Sequence, residues 1–379
     1  MGRKLRMGMV GGGPGAFIGP VHRMAAELDG RIEMVAGAFS QSAERSRAAG
    51  QSFGIAPERA YADYREMIRA EKPRADGIDF VVIATPNHLH LPVAEAALQA
   101  GLAVMSDKPA TATYDEVVAL EMAVAKAGLP YGLTHTYAGY SLVREARELC
   151  ASGKLGAIRK IAVEYLQGWL SQPLEKSGQK QAAWRSDPVL NGPGGCIGDI
   201  GTHAFHLTEY VTGLKVTSLH ATLRTVVAGR QLDDDCNAVL RLENGASGVL
   251  MASQVAAGEG NGLRLRVYGE NGSIDWHQED PNRLRVKWLD GPEEIRHASG
   301  SYLGADARAV TRLPGGHPEG YIEAFAVLYR EFADGLIAWR EGKADPLPAT
   351  LPGIVAGVRG MRFVERAIES NRSGNWVEF

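Results

Sequence analysis

The chain has 379 residues, 45% of them hydrophobic, 22% charged and 7% aromatic, with 41 basic against 44 acidic side chains and a net charge of −3. This excludes a disordered chain, a collagen-like repeat and a simple coiled coil, and the length suits two domains with a core that needs no disulfide or metal staple. The near balance of charge gives no single-sign field for nucleic acid or an anionic membrane, so a small polar molecule is the expected partner.

Cys150, Cys196 and Cys236 form no CxxC or CxxH pair, so neither a zinc knuckle nor a redox dithiol is indicated, and an odd, sparse set fits a reducing compartment. The basic start Met1-Gly2-Arg3-Lys4-Leu5-Arg6 is followed by no signal-peptide run, and Gly2 lacks the Ser or Thr at position 6 that myristoylation needs. No stretch approaches the roughly 20 apolar residues of a membrane span. The expected location is the cytoplasm.

In chain order, the apolar run 7–10 stops at glycines and predicts a buried strand, followed by a helix with Val21, Met24, Ala25 and Leu28 on its apolar face. A second strand is predicted at 32–39, then short helices at 43–50 and 64–70, the latter capped by Asp63. Residues 79–84 give the clearest strand, ended by Thr85-Pro86-Asn87, then a helix at 92–100 stopped by Gly101. A strand at 102–105, a helix at 114–127 ended by Gly128 and a strand at 129–133 complete an alternation that implies a parallel sheet with helices on both faces. Beyond residue 155 the runs become β-rich, at 159–165, 219–227, 238–242, 248–254, 263–268, 273–276 and 284–288, with turn signals Glu243-Asn244-Gly245 and Glu270-Asn271-Gly272. Two late helices, at 321–340 and 354–370, close the chain. The expected architecture is α/β: a dinucleotide-binding domain over 1–135, then an α+β domain over 136–379 with a large, mostly antiparallel open sheet, the last helix packing back on the first domain.

Directly after the first strand stands Gly11-Gly12-Gly13-Pro14-Gly15-Ala16-Phe17-Ile18-Gly19. A strand, a glycine turn and a helix N-terminus make an anion site, since glycines admit a pyrophosphate to the backbone and the free N–H groups and helix dipole favour its charge. The third glycine comes three residues later than in the regular G-x-G-x-x-G, so a plain flexible turn is the competing reading. The tip of the second strand, Ala38-Phe39-Ser40-Gln41-Ser42, has no acid to select an NAD ribose. Ser40 suits either ribose form, and Arg45 or Arg47 either reaches a 2′-phosphate or belongs to a solvated helix face.

Three further segments, Ala84-Thr85-Pro86-Asn87-His88-Leu89-His90, Asp107-Lys108-Pro109 and Gly198-Asp199-Ile200-Gly201-Thr202-His203, occur in that order. Together they resemble the signatures of the Gfo/Idh/MocA oxidoreductases. The resemblance spans the chain and implies a Rossmann domain, a second α/β domain with a large open sheet, and hydride transfer between NAD(P) and a secondary alcohol of a sugar, glycoside or cyclitol such as an inositol. It implies cofactor contacts from Gly11, Gly13, Phe17, Ile18, Gly19, Ser40, Arg45, Thr85, Asn87, His90, Asp107 and Lys108, with NAD the commoner choice and NADP open. It matches Lys108 to the catalytic lysine, Asp199 to the substrate-binding aspartate and His203 to the proton-shuttling histidine. Asp107 departs from the family's usual glutamate by one methylene.

The residue types suit that chemistry. A histidine titrating near neutrality takes the hydroxyl proton, a lysine ammonium supports developing alkoxide charge, and an aspartate orients a hydroxyl. Asp199 and His203, four apart, share one face if the segment is helical. His206 adds a third polar group that resembles a metal set, though no further ligand is evident and no metal is expected. Tyr137, Trp169, Trp184 and Arg185 are candidates for the substrate wall, because sugar faces stack on aromatic rings; the tryptophans equally suit a core.

Two other functions share this sequence pattern. A redox-neutral, NAD-dependent glycosidase would need one more base, Tyr137 or His135; a non-catalytic NAD-binding regulator would need none. An open sheet covered on one face predicts a homo-oligomer, a dimer or tetramer.

Overall fold

The computed structural model describes residues 3–13, 15–343 and 347–379; Met1, Gly2 and Pro14, named above, lie outside the described residues. The chain divides into two compact units, residues 1–135 with 325–358, and residues 136–324 with 359–379.

The first unit contains β1 (Leu5–Gly11), α1 (Ile18–Leu28), β2 (Ile32–Ala38), α2 (Ala43–Ser52), α3 (Tyr64–Glu71), β3 (Phe80–Ala84), α4 (His90–Gln99), β4 (Ala103–Ser106), α5 (Tyr114–Ala127) and β5 (Tyr131–Leu133). Its five strands are all parallel, in the order β2-β1-β3-β4-β5. Every residue of β3 is buried, which is why this strand reads as an unbroken apolar run rather than an alternation. Local signals set the helix ends: Asp63 accepts from the Arg65 and Glu66 amides, Thr113 and Glu116 form a capping box, and Gly128 ends α5 at φ 61°. Parallel strands bring all carboxyl ends to one edge, and the strand order reverses between β1 and β3, the point at which such sheets open a ligand crevice.

Two expectations are corrected here. Helix α1 buries Gly19, Val21, His22, Ala25 and Ala26, while Met24 and Leu28 are exposed. Small residues allow the close approach, and the one polar member finds a partner, since His22 Nδ1 lies 2.6 Å from the Tyr329 hydroxyl. The stretch 325–353, read from sequence with the second domain, clusters with the first unit, together with 354–358, the start of the helix expected to pack back on that domain. The aromatic residues of 325–353 supply the reason: the Phe332 ring sits 5.1 Å from Phe80 of β3, and Phe325 lies edge-on to His22 at 4.9 Å.

The second unit contains α6 (Ser141–Ala151), β6 (Ile158–Leu166), α7 (Lys180–Arg185), α8 (Pro188–Asn191), α9 (Thr202–Thr212), β7 (Val216–Arg224), β8 (Asp235–Leu242), β9 (Ser247–Ser253), β10 (Gly262–Gly269), β11 (Gly272–His277), β12 (Arg283–Trp288), β13 (Glu293–His297), α10 (Ala305–Ala309) and β14 (Val377–Glu378). The helices α11 (Tyr321–Arg340) and α12 (Ile354–Ser373) cross the division: 321–324 and 359–373 belong here, 325–340 and 354–358 to the first unit. The nine strands run β13-β12-β11-β10-β6-β9-β8-β7-β14, antiparallel except for the β6–β9 pair. Sequence reading missed β13 and β14; the first alternates exposed with half-buried residues, and its half-buried members Glu294 and Arg296 are charged, while the second has only two residues, so neither carries an apolar signal.

One face of this sheet is apolar. In β8, Cys236, Ala238, Leu240 and Leu242 point inward, and they join a core that includes Leu142, Val143, Ala204, Phe205, Leu207 and Phe363 from the helices. Among the described residues no helix is long and apolar enough to cross a membrane.

Candidate functional site

The candidate site residues of the first unit begin with a stretch that is mainly backbone. At the end of β1 the chain turns through Gly11 at φ 83° and Gly12 at φ 68°, and the Gly12 amide donates to the Ala84 carbonyl at 3.0 Å. A Cβ on Gly13 would stand 2.3 Å from the Phe39 carbonyl oxygen, and one on Gly19 would stand 2.1 Å from that of Gly12. Those neighbours are main chain and have nowhere to go. The late glycine is therefore required where it stands. Gly19 lets the first turn of α1 rest on the loop, so the run is a close-packed cradle rather than a flexible turn. Helix α1 begins with no side-chain cap and no acid in its first turn, which leaves its amides and dipole for an anion. Phe17 is exposed and Ile18 half-buried beside this turn.

The other expected cofactor residues follow β2, β3 and β4. Half-buried Ser40 accepts from the Ser42 amide at 3.2 Å, and Arg45 is exposed on the first turn of α2. Thr85 is half-buried and Asn87 buried in the turn after β3. His90 is enclosed within the first unit. It is 1% exposed, with Nδ1 at 2.7 Å from the Pro109 carbonyl and Nε2 at 3.0 Å from the Thr85 carbonyl, so both ring nitrogens are engaged inside the fold. Burial lowers its pKa.

After β4, Asp107 Oδ1 accepts from the Lys108 amide at 2.9 Å and the Thr134 hydroxyl at 2.7 Å, with His22 Nε2 at 4.0 Å. Lys108 is half-buried. Burial pulls the fully enclosed His22 down to about 4, against the attraction of Asp107, so a neutral imidazole faces that carboxylate.

In the second unit the candidate site residues form a network of side chains. A π-helical turn, Ile197–Gly201, carries Asp199 and runs into α9, which carries His203. The predicted shared helical face is therefore modified, because the wider turn shifts Asp199 in phase relative to α9. Asp199 Oδ2 accepts from Arg185 Nε at 3.1 Å and from Gln254 Nε2 at 2.8 Å. The Arg185 guanidinium lies 4.2 Å above the Trp184 ring, and Gln181 Oε1 accepts from both Arg185 and Trp184.

His203, 7% exposed, meets the Tyr137 ring edge-on at 4.8 Å. The Tyr137 and Tyr165 hydroxyls are hydrogen-bonded to each other; Tyr165 donates to Asn261 Oδ1 at 2.7 Å, and Asn261 Nδ2 donates to Tyr137 at 3.2 Å. Gln167 donates to the same Asn261 oxygen and accepts from the Trp169 indole at 3.0 Å. Trp169 and Trp184 are half-buried. Tyr137 is 4% exposed, and burial raises its phenol well above the ordinary value. Tyr137 is held inside this network by its ring and hydroxyl contacts. Among the described residues no three His, Cys, Asp or Glu side chains form a group that could hold a metal.

Residues 5–135 match the oxidoreductase family described as an NAD-binding Rossmann fold, and residues 143–275 match the GFO/IDH/MocA C-terminal domain. The chain belongs to the Gfo/Idh/MocA oxidoreductases. An inositol dehydrogenase homolog from Azotobacter vinelandii, solved with NAD+, is similar with a TM-score of 0.96 and 36% identity over 100% of this chain and 98% of that one. An inositol dehydrogenase homolog structure from the same organism, with NADH and myo-inositol, gives 0.93 at the same identity and coverage. The uncharacterized oxidoreductase YfiI of Bacillus subtilis (strain 168) is 33% identical over 100% of this chain and 97% of its own. Levoglucosan dehydrogenase of Pseudarthrobacter phenanthrenivorans is 27% identical over 80% and 81% of the two chains. The first unit is accordingly an NAD-binding Rossmann domain of an oxidoreductase, and the cradle of Gly12, Gly13 and Gly19 fits the pyrophosphate it implies.

Sequence reasoning missed Tyr165, Gln167, Gln181, Gln254 and Asn261. Gln167 and Gln254 each follow a strand by one residue, which is the one signal that marked them.

Proposed function

We propose that this oxidoreductase interconverts a secondary alcohol and ketone on a neutral sugar, glycoside or cyclitol. The supporting observation is the charge-balanced Asp199–Arg185 pair, held by Gln254 and accompanied by the amides and phenols around Tyr137. Amides and a neutralised carboxylate suit hydroxyl groups, whereas a phosphorylated substrate calls for surplus positive charge. The relatives solved or named with myo-inositol and levoglucosan point to the same chemical class.

Bound NAD(P) supplies the hydride acceptor, with NAD favoured by the family's habit. In this reading Asp199 accepts a hydrogen bond from a substrate hydroxyl and sets the ring's orientation, an imidazole nitrogen of His203 takes the proton of the reacting hydroxyl, and Lys108 Nζ supports the charge that develops on that oxygen. The first domain, 1–135, then serves the cofactor, and the segment from 136 onward serves the substrate and self-association. The outward face of the nine-stranded sheet, with Val239 and Ile295 exposed, is the proposed surface for a homo-oligomer. Three unbridged cysteines support a reducing cytoplasm.

Absorbance of NADH during incubation with NAD and a panel of inositols, free sugars, anhydrosugars and sugar phosphates tests the proposal. Accumulation with a neutral polyol supports it; turnover of sugar phosphates alone overturns the substrate class. A glycosidase cycle would accumulate no NADH, and the raised Tyr137 phenol disfavours that residue as its extra base.

A further inference from the structure

Three consecutive amides leading into the Asp199 turn end on a single residue. The Gly195 amide donates to Asp233 Oδ1 at 2.7 Å, the Cys196 amide to the Asp233 carbonyl at 2.8 Å and the Ile197 amide to Asp233 Oδ2 at 2.8 Å. The Asp199 amide then donates to the Gly195 carbonyl at 3.0 Å, so the start of the π-helical turn hangs from that clamp. The fit is close: a Cβ on Gly195 would stand 2.1 Å from the Asp233 carbonyl oxygen.

The adjacent residue holds the other side of Asp199. The Gln254 amide donates to the Asp234 carbonyl at 2.9 Å, and the Gln254 side chain donates to Asp199 Oδ2 at 2.8 Å. Asp234 is itself fixed, its carboxylate accepting from the Val226 and Val227 amides and from Arg230 at 2.6, 3.0 and 3.1 Å. The loop that carries Asp199 and the amide that grips it are therefore both referenced to one dipeptide just before β8.

We propose that Asp233 is a positioning residue: its carboxylate, by clamping Gly195 and Ile197, sets where the Asp199 carboxylate stands relative to Gln254 and Arg185. The role of Asp199 in orienting a polyol rests on the function proposed above; the clamp itself does not. An ionised carboxylate is the side chain the geometry requires, since both of its oxygens must accept. Asparagine of the same size turns an N–H₂ group toward one of the two amides and loses that bond. Burial, with a smaller push from Asp234, raises the Asp233 carboxyl to about 6 against the pull of the two amides, and the Cys196 and Cys236 thiols are titratable neighbours. A positioning error well below 1 Å matters at such a carboxylate, because geometry enters the rate steeply.

The test compares full-length Asp233→Asn with wild type and with Asp235→Asn, which removes a neighbouring charge without touching the clamp. Amide hydrogen exchange over 195–203 is expected to quicken about tenfold or more in Asp233→Asn, with peptides of the first unit unchanged. With a polyol that the wild type turns over, the KM for polyol should rise about tenfold while the KM for NAD stays within about twofold. A loss of folded enzyme alone would lower kcat and leave both KM values in place, which would overturn the positioning role, as would faster exchange with an unchanged KM. If no polyol is turned over, the substrate reading fails, and the exchange result still decides the clamp: unaltered exchange overturns it. Should Asp233→Asn not fold, Gly195→Ala displaces the same clamp from its other side and is read in the same way.

Discussion

The two units carry candidate ligand-holding residues of different kinds. In the first unit the contact surface is main chain: Gly12, Gly13 and Gly19 are packed so closely against carbonyl and Cα atoms that any side chain would fill the cradle. In the second unit the surface is made of amides, phenols and one ion pair, and the backbone stands behind it. The difference suits what each unit is proposed to bind. A pyrophosphate is the same in every dinucleotide and is served by a fixed row of N–H groups. A polyol differs in the placing of its hydroxyls, and side chains are the part that can change without disturbing the fold. The first unit's residues should therefore fail abruptly when altered and the second's in graded fashion.

The largest expected effect breaks the backbone cradle. Gly13→Ala should weaken NADH binding by about 100-fold or more, because the methyl group meets the Phe39 carbonyl oxygen and the loop must move. Titration of NADH fluorescence measures it, and binding within threefold of wild type would show that the cradle is softer than its packing implies. Next comes His203→Ala, expected to lower kcat by about 100- to 1,000-fold with NADH affinity retained, and to remove the acid limb of the pH–rate profile. Near wild-type turnover with an unchanged profile would remove His203 from the proton-transfer role.

What was legible in the sequence is what is local in the chain. Short local motifs stood out in both units, Gly11 to Gly19, Thr85 to His90, Asp107-Lys108 and Gly198 to His203, as did the parallel sheet of the first. The hydrogen bonds of the Tyr137 network come from β6, the loop after it and the segment before β10, residues 165, 167 and 261, which no local pattern links. Periodicity also misled where packing chose against hydrophobicity: α1 faces the fold with His22 and small residues, leaving Met24 and Leu28 exposed, because close approach outweighs side-chain size there. The placement of residues 325–353 in the first unit left no motif; contacts such as Phe332 with Phe80, Phe325 and Tyr329 with His22, and Arg340 with Asp79 reveal it.

His22 itself gives a prediction about stability rather than activity. Burial lowers its pKa from 6.5 to about 4, so between those values the unfolded chain binds the proton that the native state refuses. Stability from this group is complete above pH 6.5 and is lost as pH falls toward 4, by about 3 kcal/mol at most. Urea unfolding of His22→Phe against wild type at pH 7.5 and 5 should show the variant's deficit, caused by the stranded Tyr329 hydroxyl, shrinking at the lower pH. A deficit that grows with acid would mean that His22 is charged in the native protein.

The smallest effect tests a side chain of the first unit, where cofactor choice is made. Ser40 closes the tip of β2 with an oxygen already accepting from the Ser42 amide, and no acid stands beside it. A carboxylate there would accept from both ribose hydroxyls of NAD and repel the 2′-phosphate of NADP. Ser40→Asp should therefore raise the ratio of kcat/KM for NAD over NADP by about tenfold, mostly through the NADP KM, whereas Arg45→Ala should weaken NADP without touching NAD. The two variants separate a repulsive selector from an attractive one. If Ser40→Asp leaves the ratio unchanged while Gly13→Ala abolishes binding, the pyrophosphate is gripped as the cradle implies but the adenosine ribose leaves it by another route, and selectivity must be sought away from the β2 tip.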